Sequence, residues 1–366
     1  MKRYHISDLT FPVQKIDFPT IDSIDHHNIL LFGAGSGGET ALKKFETYTT
    51  ITVLNIYDND PKKVGNTCHK MVVTSPESIT HHDKSTPIVI SSMYFSEIAM
   101  QLSALGFEYL YDYHQLFPAH SPHFFSQEII NIHKDKIETL FNLLEDTPSQ
   151  EALLALLQYR LTLDYKLLSK TVSRDQYFPS EIITLSENEV FVDAGAHVGL
   201  TALDFAKRAN NQFNKIICFE PDGANIQQLK VNLSECPVSE KIDVLNLGVY
   251  DSAQELSFAS EDNTCSSAHI SNSGNIVIHT VSIDEQLQNE HITFIKMDIE
   301  GAEIPALMGA QKTIQQSKPK LAISVYHTPT DLWEIPLLLK QMNPEYKLYL
   351  RNHSGSILET VCYAIQ

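Results

Sequence analysis

Basic residues are scarce. Lys and Arg number 27 against 45 Asp and Glu among 366 residues, a formal net charge of −18 with His neutral. Such a chain repels phosphate backbones, and no Lys/Arg-rich run offsets this locally, so nucleic acid is not an expected partner. Long apolar runs are missing too. No stretch approaches the roughly 20 apolar residues of a membrane helix. The start, Met1-Lys2-Arg3-Tyr4-His5-Ile6-Ser7-Asp8, lacks the apolar core of a signal peptide. A cytoplasmic protein without a membrane span is the expectation. Cysteine is sparse: Cys68, Cys218, Cys236, Cys265 and Cys362 have a spacing that fits neither a zinc site nor a paired disulfide framework. Free thiols in a reducing compartment follow. What remains is ordinary packing material, 43% hydrophobic and 20% charged, in a chain long enough for two domains.

The pattern along the chain alternates. Asn28 to Phe32, Ile51 to Tyr57 and Ile88 to Ile90 read as short buried strands, with helical spacing over Glu39 to Phe45 and Ser96 to Leu105. Ile129 to Leu144 and Glu151 to Leu168 carry apolar residues at helical spacing and are separated by Pro148. Alternation then resumes. Strands are expected at Val190–Val192, Ile216–Phe219, Val244–Leu247, Phe294–Met297 and Leu321–Val325, helices at Thr201–Arg208 and Ala224–Leu233. Tyr346–Leu350 and Glu359–Ala364 read as a closing antiparallel pair. Strand–helix alternation predicts parallel sheets covered on both faces, the second with seven strands.

The central signal is Phe191-Val192-Asp193-Ala194-Gly195-Ala196-His197-Val198-Gly199. A strand ends in an acid, and a glycine turn leads into a helix whose first N–H groups lack partners. Asp193 in that turn would repel a pyrophosphate and suit an ammonium or a sulfonium-bearing amino acid. The next strand ends at Glu220-Pro221, where an acid can accept both hydroxyls of a ribose. The pair is a pattern for adenosylmethionine. A third signal, Lys296-Met297-Asp298-Ile299-Glu300-Gly301-Ala302-Glu303, sets three carboxylates at a strand tip, where doubly wound folds bind ligands and where neighbouring acids raise one another's pKa. Gly248-Val249-Tyr250-Asp251, beyond the third strand, is placed to meet an adenine through Tyr250 or Asp251, or is a turn leading to a hairpin near Phe258.

Together these residues resemble the FkbM family of adenosylmethionine-dependent methyltransferases. Asp193 to Gly199 is similar to the family's cofactor loop, Glu220-Pro221 to its ribose-binding step, and Lys296-x-Asp298-Ile299-Glu300-Gly301-x-Glu303 to its most specific motif. Tyr326-His327-x-x-x-x-Asp331 and Leu350-Arg351-x-His353 are also similar to family elements, and the likeness spans about residues 180 to 366. His197 stands where related loops often carry Asn. The resemblance implies O-methylation, often of sugars or polyketide hydroxyls. The enzyme must then hold a hydroxyl near the sulfonium methyl and remove its proton. His327 or Asp298 is the expected base, with Glu300 positioning the acceptor. A second arrangement has Asp298, Glu300 and His327 hold a magnesium ion that lowers the hydroxyl pKa.

An earlier glycine turn, Gly33-Ala34-Gly35-Ser36-Gly37-Gly38, also follows a strand and opens a helix, and no acid occupies it. With Asp58-Asn59-Asp60-Pro61-Lys62-Lys63-x-Gly65 it resembles the nucleotide-sugar-binding N-terminal domain of bacterial sugar acyltransferases over about residues 27 to 118. Gly33, Gly35, Gly38 and Asp58 are its expected ligand residues, with a nucleotide-linked sugar, a ligand-free scaffold role or a nicotinamide as competing uses.

The expected architecture is α/β, with two Rossmann-like doubly wound domains: an extension at 1–25, a nucleotide or nucleotide-sugar domain at 26–118, a helical connector at 119–180 and a methyltransferase domain at 181–366. The expected function is O-methyl transfer from S-adenosylmethionine to a hydroxyl of a sugar or glycan precursor. The competing readings are a nucleotide-sugar-sensing or assembly module with a degenerate methyltransferase fold, and a nicotinamide-dependent oxidoreductase. The oligomeric state is not legible.

Overall fold

The computed structural model describes residues 28–47, 51–92, 94–116, 127–162, 164–234, 236–259, 269–270 and 276–366. The expected extension at 1–25 and Cys265 lie outside these residues; the other four cysteines are free and buried. Two units are distinguished: residues up to 129 with 154–172 and 354–358, and residues 130–153, 173–353 and 359–366. The segment read as a helical connector carries helices between Gln127 and Leu168 and turns from 169 to 180; it is divided between the two units, and one boundary falls inside the helix Thr147–Thr162. Pro148 sits in the first turn of that helix, where its missing N–H costs nothing.

The first unit is built on β1 (Asn28–Phe32), β2 (Thr52–Tyr57), β3 (Thr67–Cys68), β4 (Met71–Thr74), β5 (Ile88–Ile90) and β6 (Leu110–Asp112). They form one sheet in the order β3-β4-β2-β1-β5-β6, parallel except for the β3–β4 pair. Alternate residues of β1 feed two separate cores. Ile29 and Leu31 pack with Ala41, Leu42 and Phe45 of the helix Ser36–Glu46, while Leu30 and Phe32 pack with Ile98, Ala99 and Leu102 of the helix Phe95–Ala104. A strand covered on both faces needs a continuous apolar run, which is what Ile-Leu-Leu-Phe supplies.

The second unit contains β7 (Val190–Ala194), β8 (Lys215–Phe219), β9 (Ile242–Leu245), β10 (Gly248–Val249), β11 (Gln254–Ala259), β12 (His269–Ile270), β13 (Ile276–Val281), β14 (Phe294–Met297), β15 (Lys320–Ser324), β16 (Lys347–Asn352) and β17 (Thr360–Ile365). Seven of these form a sheet in the order β16-β17-β15-β14-β7-β8-β9. It is parallel from β15 to β9 and closes with the antiparallel β17 and β16, as the sequence pattern predicted. A smaller sheet, β10-β13-β11-β12, was not foreseen.

One face of the large sheet carries a phenylalanine core. Phe191 and Phe205 stack at 4.4 Å, with Phe178, Phe213 and Phe294 around them. Because side chains alternate along a strand, the next residues on this face are Asp193 after Phe191 and Lys296 after Phe294. These two are register partners on β7 and β14. The fold thus buries a charge pair at the rim of an aromatic core, directly beneath the tips of the parallel strands.

Candidate active site

The turn after β7 is built for close packing. Gly195 has φ +79°, and a Cβ on it would lie 1.9 Å from the carbonyl oxygen of Asp298. Only glycine lets the turn rest on the β14 tip. The N–H groups of Gly195 and Ala196 both donate to the Phe219 carbonyl at 3.0 Å, tying the turn to β8. His197 follows with φ +48°, its N–H donating to Glu220 at 2.8 Å and its side chain exposed. Left-handed backbone favours Asn among ordinary residues and admits His. The position therefore asks for a conformation and an N–H group rather than an amide side chain. The helix Leu200–Arg208 then starts after Gly199 with no side-chain cap on its first N–H groups.

Asp193 does not face this turn's open side. Its side chain is wholly buried and sits 3.0 Å from the Lys296 ammonium, itself only 3% exposed. Burial pushes the Asp193 carboxyl up, against the opposing pull of Lys296. Of the two partners expected for this carboxylate, an ammonium or a sulfonium-bearing amino acid, it faces an ammonium, that of Lys296, because strand alternation points it into the core. Glu220, at the end of β8, keeps the expected place. Its Oε2 accepts the His197 N–H, and its Oε1 accepts the Asp222 N–H at 2.9 Å and the Asn225 amide at 3.3 Å. A carboxylate has about four lone-pair positions, so with three taken one remains, on Oε2, for a single hydroxyl. Beside it stands Asn246, whose amide donates to the carbonyls of Glu220 and Pro221, a neighbour the sequence did not reveal. Gly248 belongs to the small sheet, paired with Thr280, and Tyr250 and Asp251 lie against Gly309. None of these three has a described contact with Glu220.

At the β14 tip a dense cluster forms around Asp298. Its carboxylate accepts the phenol hydroxyls of Tyr177 at 2.7 Å and Tyr326 at 2.9 Å. His327 is inserted between acids: Nδ1 lies 2.9 Å from Glu303, and Nε2 lies 3.4 Å from Asp298 and 3.7 Å from Glu300. Burial alone would lower the imidazole pKa, but Glu303, Asp298 and Glu300 outweigh it and push it up to about 10. His327 therefore favours its protonated form at neutral pH, which counts against the expected role as base. Burial also raises Asp298, yet His327, Lys296 and the two phenols more than offset this and hold it below its ordinary value. An ionised carboxylate so well satisfied is a weak proton acceptor.

Glu300 differs from both. Burial first, then the charges of Asp298, Glu303 and Glu359, push it up to about 8, with His327 opposing. Its side chain still keeps 40% of its surface, and its φ is +56°. Non-glycine residues in the left-handed region cost of order 1 kcal/mol and gather at functional sites. Tyr177 at φ +67° and Glu359 at φ +56° share the feature and the pocket. Glu359 accepts a hydrogen bond from Gln176 and is itself raised, by burial first and then by Asp298. Neither Tyr177 nor Glu359 was singled out from the sequence. Tyr177 lies in the stretch read as connector, and Glu359 was read as the start of a strand.

Ligand atoms of Asp298, Glu303 and His327 lie within 4.8 Å of one another. A metal needs an imidazole lone pair, and both nitrogens here face carboxylates. With the imidazole protonated, His327 offers a metal no lone pair, and only the carboxylates of Asp298, Glu300 and Glu303 remain as ligands.

The first unit's glycine turn is equally compact. A Cβ on Gly38 would come within 2.0 Å of the Gly33 carbonyl oxygen, and one on Gly37 within 2.6 Å of the Ser91 carbonyl. Gly35 is open, with only the Lys63 ammonium near it at 3.7 Å. Asp58 closes the turn from β2, accepting the Ala34 N–H at 2.7 Å and pairing with Lys63 at 3.0 Å. Among the described residues no helix is long and apolar enough to cross a membrane.

Comparison with known proteins bears on both fold and family. A crystal structure of methyltransferase FkbM from Methylobacillus flagellatus aligns with a TM-score of 0.66 at 24% identity, covering 92% of this chain and 90% of that one. That likeness shows the fold across both units. An rRNA methylase from Streptococcus thermophilus aligns over 56% of this chain and 95% of its own at 14% identity, with a TM-score of 0.32. No curated protein matches the sequence. The segment from Asp193 to Ser354, which holds the turn after β7, Glu220 and the Asp298 cluster, matches the profile of the methyltransferase FkbM domain. Residues 193–354, rather less than half of the chain, are thus similar to a methyltransferase FkbM domain.

Proposed function

We propose that the chain is an S-adenosylmethionine-dependent O-methyltransferase whose acceptor is a hydroxyl of a sugar or glycan precursor. The observation that carries the reading is the contrast at the β14 tip: Glu300, partly open and raised to about 8, stands beside the ionised, phenol-held Asp298. Residues that fit the cofactor stand close by. They are the Gly195 turn, the uncapped helix start after Gly199, and Glu220 with one lone pair to spare. When bound, adenosylmethionine supplies an electrophilic methyl carbon on a positively charged sulfur. Glu220 would hold a ribose hydroxyl through its remaining lone pair. Glu300 would take the acceptor's proton as the acceptor oxygen bonds to that carbon and the carbon–sulfur bond breaks, the sulfur leaving as a neutral thioether. Asp298, kept ionised by two phenols and His327, would balance positive charge at the transfer point.

Activity with labelled adenosylmethionine against glycan fractions, followed by mass spectrometry of the product, tests the reading. Labelled product carrying no methylated oxygen would refute it. Turnover in chelator should match turnover in buffer; a loss restored by magnesium would put a metal where the imidazolium now stands. For the first unit, Gly35 open beside Lys63 favours a phosphate-bearing ligand, and a nucleotide-linked sugar is the proposed one. A thermal-shift screen with UDP-sugars, GDP-sugars and NAD separates this from a nicotinamide or from no ligand.

A further inference from the structure

We propose that Lys296 is the positioning residue of the cofactor turn: its ammonium, anchored by Asp193, grips the Gly195 carbonyl and so fixes where the turn's peptide groups stand. This rests on the reading of that turn as the adenosylmethionine site.

Lysine offers three donors in a compact head. One faces Asp193 at 3.0 Å, one reaches the Gly195 carbonyl at 2.7 Å, and the Ala194 carbonyl lies at 3.4 Å. The head is 3% exposed and lies 5.2 Å from the Tyr177 ring centroid, so water does not compete for these bonds. From the other side, the α-carbon of Gly195 rests on the Asp298 carbonyl oxygen, with no room even for a methyl group. The turn is therefore held between a donor that pulls its carbonyl and a peptide that blocks its α-carbon. Lys296 and Asp298 are one residue apart on the same strand end, so one short segment sets the turn's position and carries the acid beside it.

A simpler role would have Lys296 only neutralise Asp193. The two roles separate in a double variant. Lys296→Met alone leaves a buried carboxylate without its partner and invites unfolding. Asp193→Asn with Lys296→Met leaves no unpaired charge, but still deprives the Gly195 carbonyl of its donor. The measurement is calorimetric titration of adenosylmethionine into the full chain. The double variant should melt cooperatively and bind about tenfold or more weakly than the unaltered chain. Affinity equal to that of the unaltered chain would overturn the proposal and leave Lys296 a neutralising role. If the unaltered chain itself binds no adenosylmethionine, the reading of the turn falls, and the proposal with it.

Discussion

His327 is surrounded by more negative charge than one imidazole balances. Asp298, Glu300 and Glu303 lie within 4 Å of its nitrogens, and Asp331 is raised to about 6, by burial and then by Glu303. A folded-state pKa near 10 against an ordinary 6.5 means the folded form holds this proton more tightly than the unfolded chain. Stability from His327 is then fully present below about pH 6.5 and is lost as pH rises toward 10, by of order 1 kcal/mol per pH unit across the window. The raised Glu300 and Asp331 act in the same direction. Thermal midpoints between pH 7 and 10 should fall, and His327→Gln should flatten that slope; a flat profile in the unaltered chain would contradict the arrangement. Catalysis runs oppositely. If Glu300 must lose its proton to work, kcat should climb with pH toward about 8. Glu300→Gln should remove that limb and cut turnover by about 100-fold or more, whereas His327→Gln should leave its form intact.

The chemistry-bearing residues were legible where a motif gathers them. Glu220, Asp298, Glu300 and His327 all fall at strand ends, as the alternating pattern predicted. The sequence could not show which way a side chain points or what charge surrounds it. Asp193 looks like a ligand residue in the chain and turns out to share a face with Phe191. His327 looks like a neutral base until three acids from other positions surround it.

At the level of elements, turns do the positioning. The turn after β7 depends on a glycine that has both a left-handed backbone and no clearance toward Asp298. Gly195→Ala should displace the turn and lower turnover by about 100-fold, the usual cost of an ångström-scale misplacement near reacting groups. Near-normal turnover in that variant would show that the turn does not govern the reaction. The large sheet was readable because parallel strands buried on both faces carry continuous apolar runs. The small β10-β13-β11-β12 sheet was not. Its strands carry neither a long apolar run nor a clean alternation, as Gln254-Glu255-Leu256-Ser257 shows, and β10 and β12 have two residues each. Such short strands leave too little pattern to recognise.

Across the whole molecule, the matched segment holds only part of the Asp298 cluster. Tyr177 precedes Asp193 and Glu359 follows Ser354, yet both reach the Asp298 cluster. Tyr177→Phe should therefore weaken turnover while leaving adenosylmethionine affinity close to normal, because it removes a donor to Asp298 and touches nothing around Glu220. An equal loss of both would place Tyr177 elsewhere in the mechanism.

β17 lies between β15 and β16 and pairs with both, although it is the last of the seven strands in the chain. During synthesis the sheet is thus left with a vacant interior lane until Thr360–Ile365 clear the ribosome. A nascent chain halted before that point exposes two unpaired strand edges, and chaperones that shield such edges would be needed until translation resumes.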